Sequence, residues 1–356
     1  MLEYIATLNN YKNGFNLNSA SKMALCFDDV LLQPQYSEIE SRSEVDISPQ
    51  VSLNKLSVPL RSPIVASPMD TVTNAIVAKT LIGNGGFAVL HRYNTIEKQL
   101  YEFNQVMNDT VCCAIPATGD YLLRVRELHD AGCRTFCIDV AHGHHVLVKK
   151  ALKTLRSEFG FEIHLMTGNV STLEAFNDLS DWGADSIRVG VGGGSACSTR
   201  IQTGHGLPTL QSIIDCAKTD RDTLLIADGG IRNSGDIVKA LAFGADLVML
   251  GGMLSGHSES PGEVFYVNGE RRKTFRGMAS KEAQEDWRGK SNGTEGVSTT
   301  VPFRGQLCDT LEDLHNGIRS GFSYSGARTV NELRAKMKYS VVSTNTVAEN
   351  VPHAKK

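Results

Sequence analysis

Thr223-Leu-Leu-Ile-Ala-Asp-Gly-Gly230, Ser234–Phe243 and Leu247-Val-Met-Leu-Gly-Gly252 read as strand, helix and strand, with each strand ending in glycines. The alternation continues back along the chain through Ser186–Gly192, Glu162–Asn169, Thr135–Ala141, Cys112–Thr118, Phe87–His91 and Pro63–Ser67. Between these runs lie segments such as Tyr121–Ala131 and Leu173–Trp182, whose apolar residues recur at helical spacing. Eight strands in series, joined by right-handed crossovers, close on themselves, so the expected fold is α/β, a (β/α)8 TIM barrel.

Several strands end in polar or glycine-rich clusters: Ser67-Pro-Met-Asp70, Asp139-Val-Ala-His142, Gly168-Asn169, Asp228-Gly-Gly230 and Gly251-Gly252. In a barrel the C-terminal strand ends converge on one mouth, so residues over a hundred positions apart can share a site. The loops after strands 7 and 8 commonly offer backbone N–H groups to a phosphate, which implies a phosphorylated substrate.

The richest loop is Gly190-Val-Gly-Gly-Gly-Ser-Ala-Cys-Ser-Thr-Arg200. Glycines at 192, 193 and 194 let the backbone turn its polar groups toward an ion or phosphate. Arg200 and the local dipoles would favour the thiolate of Cys197, the reactive form. The run reads as a nucleophile loop, although a glycine-rich turn around a packed cysteine fits the same letters.

Composition narrows the partner. The chain has 356 residues, 41% hydrophobic and 21% charged, with net charge −3, so it lacks an electrostatic footprint for nucleic acid or an anionic membrane and favours a small molecule. No stretch approaches the roughly 18 apolar residues of a membrane span, and no secretory signal is evident, so a cytoplasmic protein is expected. The eight cysteines, at 26, 112, 113, 133, 137, 197, 216 and 308, form no repeated C-x-x-C pairs and read as reduced thiols. Zinc at Cys133 and Cys137 lacks a second pair, and His142, His144 and His145 lack a carboxylate at useful spacing.

After the eighth strand, Glu263–Val267, Asn268-Gly269 and Glu270–Phe275 read as a hairpin. Residues 279–300 show no steady period and read as a mobile flap, and Leu311–Ser320 resumes as the eighth barrel helix. The expected organisation is a single domain over 1–356: an N-terminal arm 1–60, a barrel at about 61–340 containing the flap, and a tail 341–356.

Together these motifs resemble the inosine monophosphate dehydrogenase and guanosine monophosphate reductase family. The resemblance rests on Phe27-Asp-Asp-Val-Leu-Leu32 with Pro34, Ser67-Pro-Met-Asp-Thr-Val72, Gly168-Asn-Val170, the Cys197 loop with Thr203-Gly204, Asp228-Gly-Gly230, Met249-Leu-Gly-Gly252, Gly277-Met278 and Glu295-Gly296. It implies that Cys197 adds to C2 of a bound purine nucleotide and forms a covalent thioimidate. In the dehydrogenase hydride then leaves for NAD and water cleaves the adduct; in the reductase ammonia leaves and NADPH delivers hydride.

The same resemblance implies site roles. Thr199 and Glu295 match the groups that help expel ammonia. Asp228 would hold the ribose, Ser195, Gly229, Gly230, Gly251 and Gly252 the phosphate, and Gly277, Met278, Ala279 and Gly296 the base. Asp139, Val140 and Ala141 would face the nicotinamide. Gly192, Gly194, Cys197 and Arg200 match carbonyls around a monovalent cation, usually K+, and family members are tetramers or larger.

Two features point to the reductase branch, converting GMP to IMP with NADPH. The regulatory cystathionine-synthase-like (CBS) insert is absent, since only Tyr93–Thr110 occupies its place. The Arg-Tyr pair that activates water in dehydrogenase flaps is missing from 279–300. A compact IMP dehydrogenase and a non-catalytic nucleotide-binding barrel remain the alternatives. The chain departs from reductases at Gly193, where proline is common, at Ser198, where threonine is, and at Asn292-Gly-Thr294, where Arg-Ala-Ser is usual. An arginine for the NADPH 2′-phosphate is thereby lost, with Arg288, Lys290 and Arg319 as candidate substitutes.

Overall fold

The chain's apolar runs are buried on both faces, the pattern of a parallel sheet covered by helices. A computed structural model describes residues 23–49, 59–106 and 111–351. After a short strand β1 (Val30–Leu32) come β2 (Ile64–Ala66), α1 (Ala75–Gly83), β3 (Phe87–Leu90), α2 (Ile96–Val106), β4 (Val111–Ile115), α3 (Tyr121–Asp130), β5 (Thr135–Asp139), α4 (Val146–Phe159) and β6 (His164–Val170). They are followed by α5 (Leu173–Asp181), β7 (Ser186–Val189), α6 (Thr199–Thr203), α7 (Thr209–Cys216), β8 (Leu224–Asp228), α8 (Ser234–Ala242) and β9 (Leu247–Leu250). Strands β2 to β9 pair in parallel in chain order, and β9 pairs with β2, so the barrel is closed as expected.

Alternate residues along each strand sort into two layers, because successive side chains point to opposite faces. Val65, Phe87, Val89, Cys112, Ala114, Cys137, Met166, Ile226, Leu247 and Met249 fill the barrel interior. Their neighbours, such as Ile64, Leu90, Cys113, Ile138 and Leu165, pack outward against Leu81, Leu128, Leu152, Leu179 and Leu241 of the helices. All eight cysteines are free thiols. Among the described residues no helix is long and apolar enough to cross a membrane.

Beyond the barrel strands come β10 (Phe265–Val267), β11 (Glu270–Arg276), α9 (Lys281–Arg288), β12 (Ser298–Pro302), α10 (Leu307–Tyr324), α11 (Val330–Lys336), β13 (Tyr339–Val341) and α12 (Thr346–Glu349). Asn268 and Gly269 both take positive φ, the geometry a two-residue hairpin turn requires. Two expectations need correction. Residues 279–300 are not without periodic structure: Ser280 caps α9 by accepting from Ala283 N, and β12 extends the hairpin into a three-stranded sheet. Only Ala283 and Gln284 of α9 are buried, so its polar composition hid it. The eighth barrel helix, expected at Leu311–Ser320, is longer, with Leu307, Leu311, Leu314, Ile318 and Phe322 forming its buried stripe. Outside the barrel, β1 of the arm and β13 at the start of the tail pair antiparallel, Val30 against Val341. Residues 1–22 of the arm and 352–356 of the tail lie outside the described residues.

One buried group makes stability depend on pH. His164 opens β6 with Nε2 2.9 Å from Ser186 Oγ on β7 and Nδ1 without a partner, and burial pushes its pKa down to about 4. Burial next to Ser62 likewise pushes His315 down to about 4. An unfolded histidine titrates near 6.5, so the unfolded chain binds the proton first as pH falls. Stability is therefore complete above about pH 6.5 and declines between there and about pH 4. The expected result is a Tm that drops through this window and a flatter profile for His164→Asn combined with His315→Asn; equal slopes for both proteins would exclude these two groups.

Candidate active site

The loop after β7 is laid directly on the end of β8. A Cβ at Gly190 would lie 2.0 Å from Asp228 O, and Gly190 has φ 142°, so only glycine fits there. Arg200 packs under the loop, its guanidinium donating to Val191 O at 3.3 Å and Leu207 O at 2.6 Å. The guanidinium thus staples carbonyls on either side of the cysteine loop.

Cys197 is joined to the flap by main chain and side chain. Val297 N donates to Ala196 O at 3.0 Å and Ser198 N to Glu295 O at 2.9 Å, making an antiparallel bridge between Cys197 and Gly296. The Cys197 thiol donates to Thr199 Oγ1 at 3.1 Å, and the Thr199 hydroxyl donates to Glu295 Oε2 at 2.8 Å. Sulfur, hydroxyl and carboxylate thus form one directed chain. A proton can leave the thiol along it, and a proton held by Glu295 can reach a leaving group beside the sulfur.

The expected phosphate residues converge. A Cβ on Gly229 would meet Gly194 N at 2.9 Å, one on Gly252 would meet Ser195 Oγ at 3.1 Å, and one on Gly230 would lie 3.7 Å from Gly193 O. Gly251 lies against Ser67 Oγ and Met69. Ser67 Oγ and Thr209 Oγ1, both buried beside these glycines, have no hydrogen-bond partner. The result is a backbone-lined hollow with two unused hydroxyls, suited to an oxyanion. At the flap root, Met278 Sδ accepts from Asp70 N, Ala279 O accepts from Glu295 N, and Gly277 lies against Gly296. Arg276 pairs with Asp70 at 2.6 Å and with Asp286 of α9 at 2.6 Å.

Sequence reasoning missed Arg188, although a charge inside the apolar strand Ser186-Ile-Arg-Val189 was a visible signal. Its guanidinium bonds Asp139 Oδ1 at 2.5 Å and Asp228 Oδ2 at 2.9 and 3.0 Å. Asn169 Nδ2 adds a third donor to Asp228 Oδ2 at 2.9 Å. Burial opposes ionisation of Asp139, but the charges of Arg188 and Arg92 outweigh it and hold its pKa below the usual range. Burial likewise works against the Arg188 charge, and Asp228 and Asp139 overcome it.

Next to Asp139 opens a cleft of about 1020 Å³, lined among others by Tyr93, Thr118, Val140, His142, Leu147, Trp287 and Arg288. Trp287 of α9 stacks on Tyr93 with centroids 4.3 Å apart, and the Arg92 guanidinium lies 5.1 Å from the Tyr93 ring centre. The three neighbouring histidines diverge: His144 bonds Asp178 at 2.8 Å, His145 caps α4, and His142 borders the cleft. Arg319 is excluded as a cleft residue. It lies one turn beyond His315, which bonds Ser62 ahead of the N-terminal end of β2, at the opposite face of the barrel. Arg288 does line the cleft, bonded to Gln284 and to Lys290 O.

A family model described as IMP dehydrogenase / GMP reductase domain matches residues 24–353. Inosine-5′-monophosphate dehydrogenase of Borreliella burgdorferi is 33% identical over 401 residues, covering 94% of this chain and 98% of its own. GMP reductase of Paracidovorax citrulli is 36% identical over 332 residues, covering 91% and 98%. The crystal structure of a cysteine-to-alanine variant of Trypanosoma brucei GMP reductase in complex with guanosine 5′-monophosphate superposes with a TM-score of 0.87 at 26% identity, over 95% of this chain and 99% of that one.

The flap's hold on the mouth is testable. Arg276→Met removes the bonds to Asp70 and Asp286, and limited trypsin cleavage between 281 and 290 is expected to quicken several-fold while Tm changes by only a few degrees. Cleavage at the original rate would mean that these pairs do not secure the flap.

Proposed function

The chain belongs to the IMP dehydrogenase / GMP reductase family, and we propose that it is the reductase: NADPH-dependent conversion of GMP to IMP and ammonia. The observation carrying this reading is the Cys197–Thr199–Glu295 chain. As thiolate, Cys197 attacks C2 of guanine. The 2-amino group must gain a proton to leave as ammonia, and Glu295 supplies it through the Thr199 hydroxyl, leaving a thioimidate on sulfur. A reduced nicotinamide, when bound, would supply hydride to C2, and loss of the Cys197 thiolate would then give IMP.

Asp228 has one oxygen bound by Arg188 and Asn169, which leaves Oδ1 as acceptor for the ribose hydroxyls. Ser195, Gly229, Gly230, Gly251 and Gly252 hold the phosphate, aided by the unused Ser67 and Thr209 hydroxyls. Gly277, Met278, Ala279 and Gly296 cover the base. Asp139, Val140 and Ala141 face the nicotinamide; Val140 lines the cleft of about 1020 Å³, and Arg288 on its wall is our candidate for a 2′-phosphate. Carbonyls of Gly192, Gly194, Cys197 and Arg200 form a hard-oxygen donor set suited to K+. Those of Gly194 and Arg200 each accept one N–H, from Cys197 and Gly204, leaving a lone pair free. The reading includes a single catalytic domain without CBS modules, a homotetramer, and a cytoplasmic setting consistent with eight free thiols.

Purified protein with GMP, NADPH and K+ is expected to consume NADPH and release ammonia. Cys197→Ala should abolish turnover. Thr199→Val and Glu295→Gln should lower kcat about 10²- to 10⁴-fold while GMP still binds. Turnover only with IMP and NAD would replace this reading with the dehydrogenase one.

A further inference from the structure

We infer that Arg188 is a positioning residue shared by the two halves of the mouth, its one guanidinium fixing the orientation of Asp228 on the nucleotide side and of Asp139 on the cofactor side. The inference rests on the proposed assignment of those sides.

The geometry leaves the guanidinium no other task. Nη1 is held by Asp139 Oδ1 at 2.5 Å and lies 3.6 Å from Cys137 Sγ, while Nε and Nη2 are both on Asp228 Oδ2 at 3.0 and 2.9 Å. The side chain is 9% exposed, and its stem is confined by β6, where a Cβ on Gly168 would lie 2.6 Å from Arg188 Cβ. The group therefore cannot swing to serve one carboxylate at a time.

The surrounding charges balance only as a set. From β5 come Asp139 and Cys137, whose thiol burial pushes up to about 12 and so keeps neutral. From β8 comes Asp228, from β6 only the neutral Asn169, and beyond β3 Arg92, whose Nε is 3.5 Å from Asp139 Oδ2 and which donates to Asp139 O at 3.0 Å. Two cations face two anions. Without Arg188, Arg92 faces both anions but contacts only Asp139, and Asp228 is left with an amide donor beside a like charge. Such a carboxyl gains a proton and loses acceptor strength toward a diol.

The test is calorimetric binding of GMP and, separately, of NADP+ to the full-length protein between pH 6 and 9. Arg188→Met is expected to weaken both ligands about tenfold or more, with GMP affinity recovering as pH rises, whereas the parent protein stays nearly flat. Adding Asp139→Asn to Arg188→Met removes the like charge, so GMP binding should largely return while NADP+ binding does not. A role in packing alone predicts a pH-independent loss that Asp139→Asn cannot reverse, and that result, or unchanged binding in Arg188→Met, would overturn the inference. If Arg188→Met does not fold, Arg188→Lys keeps the charge but has a single nitrogen for two carboxylates. At least one ligand should then weaken tenfold, and wild-type affinity for both would overturn the inference. Parent protein that binds neither ligand would instead overturn the functional reading beneath it.

Discussion

The parallel pairing of β2 with β9, Ile64 against Val248 and Ala66 against Leu250, joins the first and last barrel strands and removes both sheet edges. The barrel strands are short, from three residues in β2 to seven in β6, so every inward position between the two mouths must be filled by packing. The interior layer is accordingly apolar from Val65 to Met249. Charge can enter only where strands end, and that is where Asp139, Arg188 and Asp228 lie, at or near the C-terminal ends of β5, β7 and β8. Arg188 on β7 reaches across β6 to Asp139 on β5 and over to Asp228 on the neighbouring β8, turning 89 residues of chain into a 2.5–3.0 Å network. The direct pairing of β7 with β8 brings the loop after β7 against Asp228.

A second structure is built on that mouth. The sheet of β10, β11 and β12 stands outside the barrel, yet Lys273 of β11 is buried and donates to His257 O and Ser260 O, fixing it to the loop after β9. Arg304, following β12, donates to Gly252 O and Met253 O in the same loop. The chain between β11 and β12 then returns as the segment hydrogen-bonded to Ala196 and Ser198. The glycine-lined hollow, the cysteine loop and Glu295 are therefore set by one set of anchors. That rigidity matters because a proton relay works only when its members stay within hydrogen-bond reach.

Most of this was legible because it is periodic or compositional. All eight barrel strands stand where their apolar runs place them, and Cys197, Thr199 and Glu295 meet although 96 positions separate the last two. What escaped was decided by tertiary contact. The pairing of β1 with β13 depends on two three-residue segments over 300 positions apart, neither with a pattern of its own. Helix α9 is short and polar, and its register shows only through Ser280, Gly289 and the stacking of Trp287 on Tyr93. The carbonyl partners of Arg200 were likewise set by tertiary contact, since the glycines at 192 and 206 let its side chain fold beneath the loop.

Relatives of similar identity carry out both reactions of the family, so overall likeness does not choose between them. The proposed reading turns instead on the proton inventory of the flap. Releasing an amine requires a proton to be delivered to nitrogen, whereas hydrolysing an adduct requires one to be taken from water. Among the described residues, the flap arginines are engaged elsewhere: Arg276 with Asp70 and Asp286, and Arg288 with Gln284 and the Lys290 carbonyl. The group facing the thiol is instead a carboxyl reached through a hydroxyl. In its protonated form that pair is a donor aimed at the sulfur's neighbourhood, which is what departure of ammonia needs, and after giving up the proton Glu295 is ready to accept the next one from Cys197. On the proposed reading the same relay would both open and reset the cycle.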